Sequence, residues 1–302
     1  MPTDANEHNY ATQSEQDFEL KRLMWQEIGD LCAGASASEE EGNHTDANLV
    51  YNMVRQAPLV EALLLYLDAT GNAPDGLHWT KPQMRTLTID ACALLLETLA
   101  VPACVQRFLD KDGPLRVLRF LENLALVDSK RIGSMKADPS TDSMNSDQSN
   151  QAMNGGNTQN IKRSGGMVAP VPRTGVDPEM TIAAMRLLAR SCRLTEVGGR
   201  LGEAGAMRTL VALFGLSFGE QGDKTVEMRT ICGSIVADLC DPESSINLRT
   251  GDDVKAIEKR ASVVNQKYFR RAGGVELVRN HLDVDGDELA IKGPKLTMSL
   301  VR

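Results

Sequence analysis

The chain has 302 residues, of which 42% are hydrophobic, and this is enough to bury a large core. Aromatic residues make up only 4%, so Leu, Ala, Val, Ile and Met must build that core, which favours packed helices over a β-sandwich or barrel. A net charge of −8 and a pI near 5.2 argue against a general surface for nucleic acids or anionic membranes.

The N-terminal residues 1–16 are polar, lack the apolar core of a signal peptide and are predicted to be disordered. Apolar residues at helical spacing then run through two segments, 17–127 and 178–302, which we expect to fold. The predicted helices cover about 17–32, 49–69, 81–100, 103–127, 178–193, 197–218, 224–240 and 263–282. No run of about 18 apolar residues occurs, so no membrane span is expected.

Residues 128–177, between these segments, are rich in Ser, Asn, Gln, Gly, Asp and Met, with almost no Leu, Ile or Phe. Such a stretch cannot bury enough apolar area to offset chain ordering, which costs roughly 1–2 kcal/mol per residue. We predict a disordered insertion within a folded unit, since the entropy of closing a loop grows only with the logarithm of its length.

A short motif recurs at the predicted helix bends. Around Gly205, apolar residues lie four positions before the glycine and two and five positions after it. These are Leu201, Met207 and Leu210; the matching sets are Leu109, Leu115 and Leu118 around Gly113, Phe269, Val275 and Val278 around Gly273, and Val54, Val60 and Leu63 around Pro58. Glycine or proline breaks one helix, and the apolar residues close across the corner. Helical units of this kind need stacked neighbours to bury their apolar stripes.

A second motif opens the longer helices. Each Thr-Ile pair is followed by a small residue three positions after the threonine and by an aliphatic residue six positions after it. The pairs are Thr88-Ile89, Thr181-Ile182 and Thr230-Ile231; the small residues are Ala91, Ala184 and Gly233, and the aliphatic ones are Leu94, Leu187 and Val236.

The stretch Glu203-Ala204-Gly205-Ala206-Met207 resembles the corner between the first and second helices of an armadillo repeat, and the Thr-Ile helices resemble its long third helix. The likeness covers most of residues 18–127 and 178–302. It implies an all-α fold, an armadillo-like right-handed α-solenoid of about four repeats with a disordered insertion. Residues 294–302 resemble the start of another third helix, so we expect a truncated stack or a partner at this end.

The resemblance implies a non-catalytic scaffold or adaptor that binds other proteins. Peptide-clamping armadillo proteins carry an asparagine ladder along the third helices, whereas the matching positions here are Asp30, Thr98, Ser191 and Asp238. This departure argues against clamping of an extended peptide backbone. The four residues are predicted either to line a partner-binding groove or to face water at the helix ends.

Sequence features of catalytic, metal and cofactor sites are weak. The six cysteines lack C-x-x-C spacing and are predicted to be apolar core residues in a reducing compartment. Asp223 separates glycine from lysine in a stretch that would otherwise resemble a phosphate-binding loop, and Glu288 and Pro294 depart from a calcium loop. We expect no enzyme activity, no cofactor, no metal and no small-molecule ligand.

Residues 267–275 resemble a segment of armadillo-type proteins of cilia and flagella, which implies a component of an axonemal or flagellar assembly in the cytoplasm or cilium. Two alternatives remain open. One is a regulatory module of a GTPase or ubiquitin-ligase complex. The other is a helical hydrolase, which requires a defined pocket with converging polar groups.

Overall fold

A computed structural model describes residues 4–40, 52, 58–68, 79–127, 171–172, 175–194, 197–219, 221–241 and 252–282. The described part of the chain is helical apart from one two-residue strand pair, which confirms the all-α part of the predicted fold. The helices are α1 Asp4–Glu40, α2 Leu59–Asp68, α3 Lys81–Thr98, α4 Pro102–Asp110, α5 Gly113–Ala125, α6 Pro178–Cys192, α7 Val197–Glu203, α8 Ala206–Phe214, α9 Gly222–Cys240, α10 Asp252–Arg271 and α11 Gly274–Leu282.

Local sequence explains where two of the long helices begin. At the start of α3, Gln83 N donates to Thr80 Oγ1 (3.4 Å) while Gln83 Oε1 accepts from Thr80 N (2.9 Å), a capping box that satisfies two helix-end groups. At the start of α6, the Asp177 carboxylate accepts from Met180 N at 3.0 Å, and Pro178 occupies the first turn.

The packing order repeats every three helices. We call α4, α7 and α10 first-position helices, α2, α5, α8 and α11 second-position helices, and α1, α3, α6 and α9 third-position helices. Each third-position helix packs against the next one in chain order, and α2, α5 and α8 each pack against the third-position helix that follows. Each first-position helix contacts the second-position helices immediately before and after it. Each described helix therefore packs against at least one neighbour in the series.

The insertion leaves and rejoins the fold at one place. Strands β1 (Leu126–Val127) and β2 (Val171–Pro172) pair antiparallel, with Val127 opposite Val171, and both contact α8. The 43 residues between them (170 − 127 = 43) lie outside the described residues, so their predicted disorder stays a prediction. Residues 171–172 and 175–177 belong to the same predicted insertion, but the structure places them in β2 and immediately before α6.

The helix corners share one backbone conformation. Asp112, Gly205 and Gly273 adopt the left-handed conformation, with φ of 54°, 92° and 81°, at the three corners between first- and second-position helices. The side chains four positions earlier, Phe108 and its counterparts Leu201 and Phe269, are buried. This corrects the register predicted at Gly113 by one residue. The corner residue is Asp112, and Phe108 and Val117 are fully buried where Leu109 and Leu115 are only partly so.

A close contact follows each corner. A Cβ on Gly113 would lie 2.4 Å from the Phe108 ring, and one on Gly274 would lie 2.4 Å from the Phe269 ring. Ala206 occupies the same place after Gly205, where the residue four positions before the corner is a leucine and not a phenylalanine. Glycine thus follows the corner where the buried residue before it is phenylalanine, and alanine follows it where that residue is leucine.

The third-position helices share a buried pattern that corrects a second register. In α3, α6 and α9 two adjacent aliphatic residues are buried: Leu94-Leu95, Leu187-Leu188 and Ile235-Val236. A fully buried small or thiol side chain lies three positions before the first residue of each pair. On this pattern Arg229, and not the exposed Thr230, occupies the place of Thr88 and Thr181. The predicted Thr-Ile match at Thr230 is therefore wrong by one residue.

The first helix is longer than predicted. It extends from Asp4 to Glu40, so 4–16 are helical, which contradicts their predicted disorder. Alanine, glutamate and glutamine in this stretch favour helix, and Gln83 Nε2 donates to Glu15 Oε2 at 2.8 Å. The other predicted features that fall on 41–51, 53–57, 242–251 and 283–302 lie outside the described residues, including the truncated helix at 294–302.

The close contact at Gly113 gives a test of the corner. Because Gly113 has ordinary helical geometry, alanine there would normally stabilise slightly, but its methyl group would collide with Phe108. We expect Gly113→Ala to lower the free energy of unfolding by about 1–3 kcal/mol. In a chain that also carries Phe108→Leu, the same alanine should cost much less, because the ring that its methyl group would meet is absent. Urea denaturation of the two single variants and the double variant measures the coupling. Gly222→Ala, which has nothing within 4 Å, is the matched control, and equal losses at 113 and 222 would contradict the contact.

Candidate functional site

Ion pairs join the third-position helices into one continuous surface. Arg22 Nε lies 2.8 Å from Asp90 Oδ2 between α1 and α3. Arg85 of α3 bonds to Asp177, just before α6, and its Nη2 lies 2.7 Å from Glu179 Oε2. Two further pairs, Arg186 with Glu227 and Arg193 with Asp238 (3.4 Å), join α6 to α9. Every contact between successive third-position helices therefore has at least one arginine–carboxylate pair.

The four predicted groove residues do not lie on one surface. Thr98 and Ser191 are fully buried, and their hydroxyls donate within their own helices, to Leu95 O at 2.8 Å and to Leu187 O at 2.7 Å. They have no surface to offer a partner, which corrects the prediction for these two residues. Asp30 is exposed on α1, and the side chain of Asp238 is 12% exposed and paired with Arg193. A partner-binding role for Asp30 and Asp238 stays a prediction.

The pattern of buried residues in the third-position helices explains why Thr98 and Ser191 do not reach the surface. Thr98 and Ser191 follow the first residue of their buried aliphatic pairs by four positions, and the residue at that place in α9 is Leu239, not Asp238. The position faces the core in all three helices, with a small polar or an aliphatic side chain. If the third-position helices are aligned on their adjacent aliphatic pairs and not on their threonines, the sequence places Thr98 and Ser191 at a core-facing position.

The Asp177 carboxylate is the most highly connected acidic group on this surface. Burial raises its pKa, but the Arg85 guanidinium and the N–H of Met180 outweigh that effect, so its pKa is lowered. Arg85 is correspondingly held in its charged form by Asp177 and Glu179. Asp177 therefore caps α6 and fixes it to α3 with the same side chain.

This pair gives a pH prediction. Because the pKa of Asp177 is lower in the folded than in the unfolded chain, its contribution is present above the ordinary value of about 4 and is lost as pH falls through the folded pKa. Asp177→Asn, which keeps a capping oxygen, should lower stability by roughly 1 kcal/mol at pH 7. The difference from wild type should shrink below about pH 4. Urea titrations of both proteins from pH 7 to pH 2.5 measure it, and a constant difference would exclude the ion pair as its cause.

One buried polar residue was not identified from the sequence. Asn265 of α10 is 1% exposed, and its Nδ2 donates to Gly198 O (3.1 Å) on α7 and to Leu239 O (3.0 Å) on α9. A Cβ on Gly202 would lie 1.8 Å from Asn265 Oδ1, so glycine is required there. The amide links three helices through backbone groups, which carry no sequence signal.

The six cysteines are free and buried, as predicted. Desolvation raises the pKa of every one of these thiols, to about 12 at Cys92 and Cys240 and about 11 at Cys104. None therefore has the lowered pKa of a nucleophilic cysteine.

The thiols give a direct test of core packing. With a pKa of about 11, a thiol is ionised to roughly one part in a thousand at pH 8, and burial blocks the reagent as well. We expect none of the six to react with Ellman's reagent in the native protein and all six to react in 8 M urea. A thiol that reacts in native buffer as fast as free cysteine would contradict its placement in the core.

Within the part of the chain that the structure describes, no three His, Cys, Asp or Glu side chains come together in a way that could hold a metal ion. The cleft between α8, α9, α10 and α11 is lined by apolar residues such as Phe214, Phe269 and Leu277 and offers no converging polar groups. None of the described helices is both long and apolar enough to cross a bilayer.

Comparisons with known proteins found no family model, no curated protein and no solved structure that matches this chain.

Proposed function

We propose that the protein is a non-catalytic scaffold or adaptor built as an armadillo-like right-handed α-solenoid of about four repeats. The observation that carries this proposal is the recurrence of one set of helix contacts every three helices, with left-handed corner residues at Asp112, Gly205 and Gly273. Stacked units of this kind form an extended rigid surface, and such surfaces bind other proteins by shape and charge.

The surface chemistry supports binding over catalysis. The ion pairs along the third-position helices hold a row of helices in fixed register, which suits a surface that must keep its shape. The described thiols have raised pKa values, and the apolar cleft lacks polar groups that could orient a substrate. The partners are other proteins, and no cofactor takes part.

We propose that the protein is located in the cytoplasm or the cilium, because residues 267–275 resemble a segment of armadillo-type proteins of cilia and flagella. The competing proposal is a regulatory module of a GTPase or ubiquitin-ligase complex. The partners distinguish these two settings, because the scaffold chemistry is the same in both.

Affinity purification of the tagged full chain from its native source, followed by reconstitution with purified candidates, tests the proposal. We expect a stoichiometric complex that forms without nucleotide or metal. Tubulin or axonemal proteins would indicate the ciliary setting, and a small GTPase or ligase subunits the alternative. Failure of every co-purified protein to bind the purified chain directly would contradict the scaffold function.

A further inference from the structure

The helix at the start of the series has an exposed apolar stripe. Leu20, Leu23, Met24 and Leu31 of α1 are 58%, 58%, 55% and 49% exposed, the highest values for large hydrophobic side chains in the described part of the chain. Single exposed apolar residues are ordinary on protein surfaces, but a contiguous set on one helix indicates an interaction site.

This stripe lies on a part of α1 that the rest of the described fold leaves exposed. Arg22 pairs with Asp90, and Gly29 lies against Leu94, so residues 22 and 29 mark the side of α1 that faces α3. At 3.6 residues per turn, Leu20, Met24 and Leu31 lie about 160–200° around the helix axis from Arg22. They occupy the position that a preceding third-position helix would cover, because each later helix of this set packs on the one before it.

The charges around the stripe are of one sign. Asp17 lies on one side of it, Asp30 lies beside Leu23 on the other, and Glu27 lies within it, between Met24 and Leu31 along the helix. Between residues 14 and 35, α1 has two cationic side chains, Lys21 and Arg22, and both contact groups outside the stripe. Lys21 Nζ lies over the rings of Trp25 and Tyr66, at 5.6 and 5.4 Å from their centroids, and Arg22 is held by Asp90.

We propose that this surface of α1 binds a basic amphipathic helix of a partner protein. Leu31 lies eleven residues after Leu20 (31 − 20 = 11), or roughly 16 Å along the axis, which matches about three turns of a partner helix with apolar anchors at i, i+3 or i+4, i+7 and i+11. Lysine or arginine beside those anchors would meet Asp17, Glu27 and Asp30. A second copy of α1 would instead bring carboxylates against carboxylates, which disfavours self-pairing.

The inference rests on the proposed scaffold function and assigns one site to it. The probe is a pair of synthetic helical peptides of about 18 residues with identical leucine positions. One carries lysine on its polar face, and the other carries glutamate. Each bears a photo-reactive phenylalanine analogue so that crosslinked residues of the full chain can be mapped by mass spectrometry.

We expect the lysine peptide to bind with micromolar affinity, to crosslink within 17–34, and to weaken about tenfold between low and high salt. Leu20→Ser/Met24→Ser should weaken binding at least tenfold, and Asp17→Asn/Glu27→Gln by about threefold or more. The control Leu65→Ser/Val226→Ser, at residues 45% and 48% exposed on α2 and α9, should bind as wild type does. Because these side chains are exposed, or half-buried at Asp17, circular dichroism melts of all three double variants should stay close to that of wild type.

Equal binding of both peptides, or crosslinks outside α1, would overturn the inference. Self-association of the chain that Leu20→Ser/Met24→Ser abolishes would show that the surface binds a second copy instead. Crosslinks from residues 41–57 to this surface in the chain alone would show that the chain covers it itself. Partners recovered by affinity purification would separate the two proposals. If they bind the double variant as well as wild type, the scaffold function stands and this site does not.

Discussion

The structure depends on mutual coverage of helices that cannot be stable alone. The second- and third-position helices have apolar stripes, and most of the apolar residues in them are buried because neighbouring helices in the series pack on them. The left-handed residue at each corner sets the angle at which the second-position helix leaves the first. The buried Phe108, Leu201 and Phe269 then fill the inside of each corner. The repeated architecture that we propose is a consequence of this one packing requirement.

Polar groups fix the register that apolar packing leaves open. Apolar contact is non-directional, so it specifies the alignment of two stacked helices less sharply than polar contacts do. The arginine–carboxylate pairs between successive third-position helices, the Asp177 cap and the Asn265 amide each demand one alignment. Most of these pairs are partly exposed, so each contributes modestly to stability and mainly selects one arrangement.

Sequence periodicity was sufficient to predict the helical class and the corners at Gly205 and Gly273, because a left-handed residue strongly favours glycine. It placed two registers wrongly by one residue, at Gly113 and at Thr230. In both places neighbouring side chains had similar character, and Phe108-Leu109 can satisfy the same helical spacing in either register. The site prediction failed at Thr98 and Ser191 because a small polar residue is compatible with a buried position when its hydroxyl donates to its own helix. The Asn265 links join residues that are distant in the chain, so no local pattern could reveal them. The contacts of Gly113 and Gly274 are with a phenylalanine five residues earlier, a spacing that recurs at both corners.

The most direct measurement is a crystal structure of the full chain at a resolution that defines side chains. The account predicts left-handed backbone at Asp112, Gly205 and Gly273, with α1, α3, α6 and α9 in contact strictly in chain order. A structure in which α3 and α6 are not neighbours, or in which Gly205 lies inside a continuous helix, would contradict it.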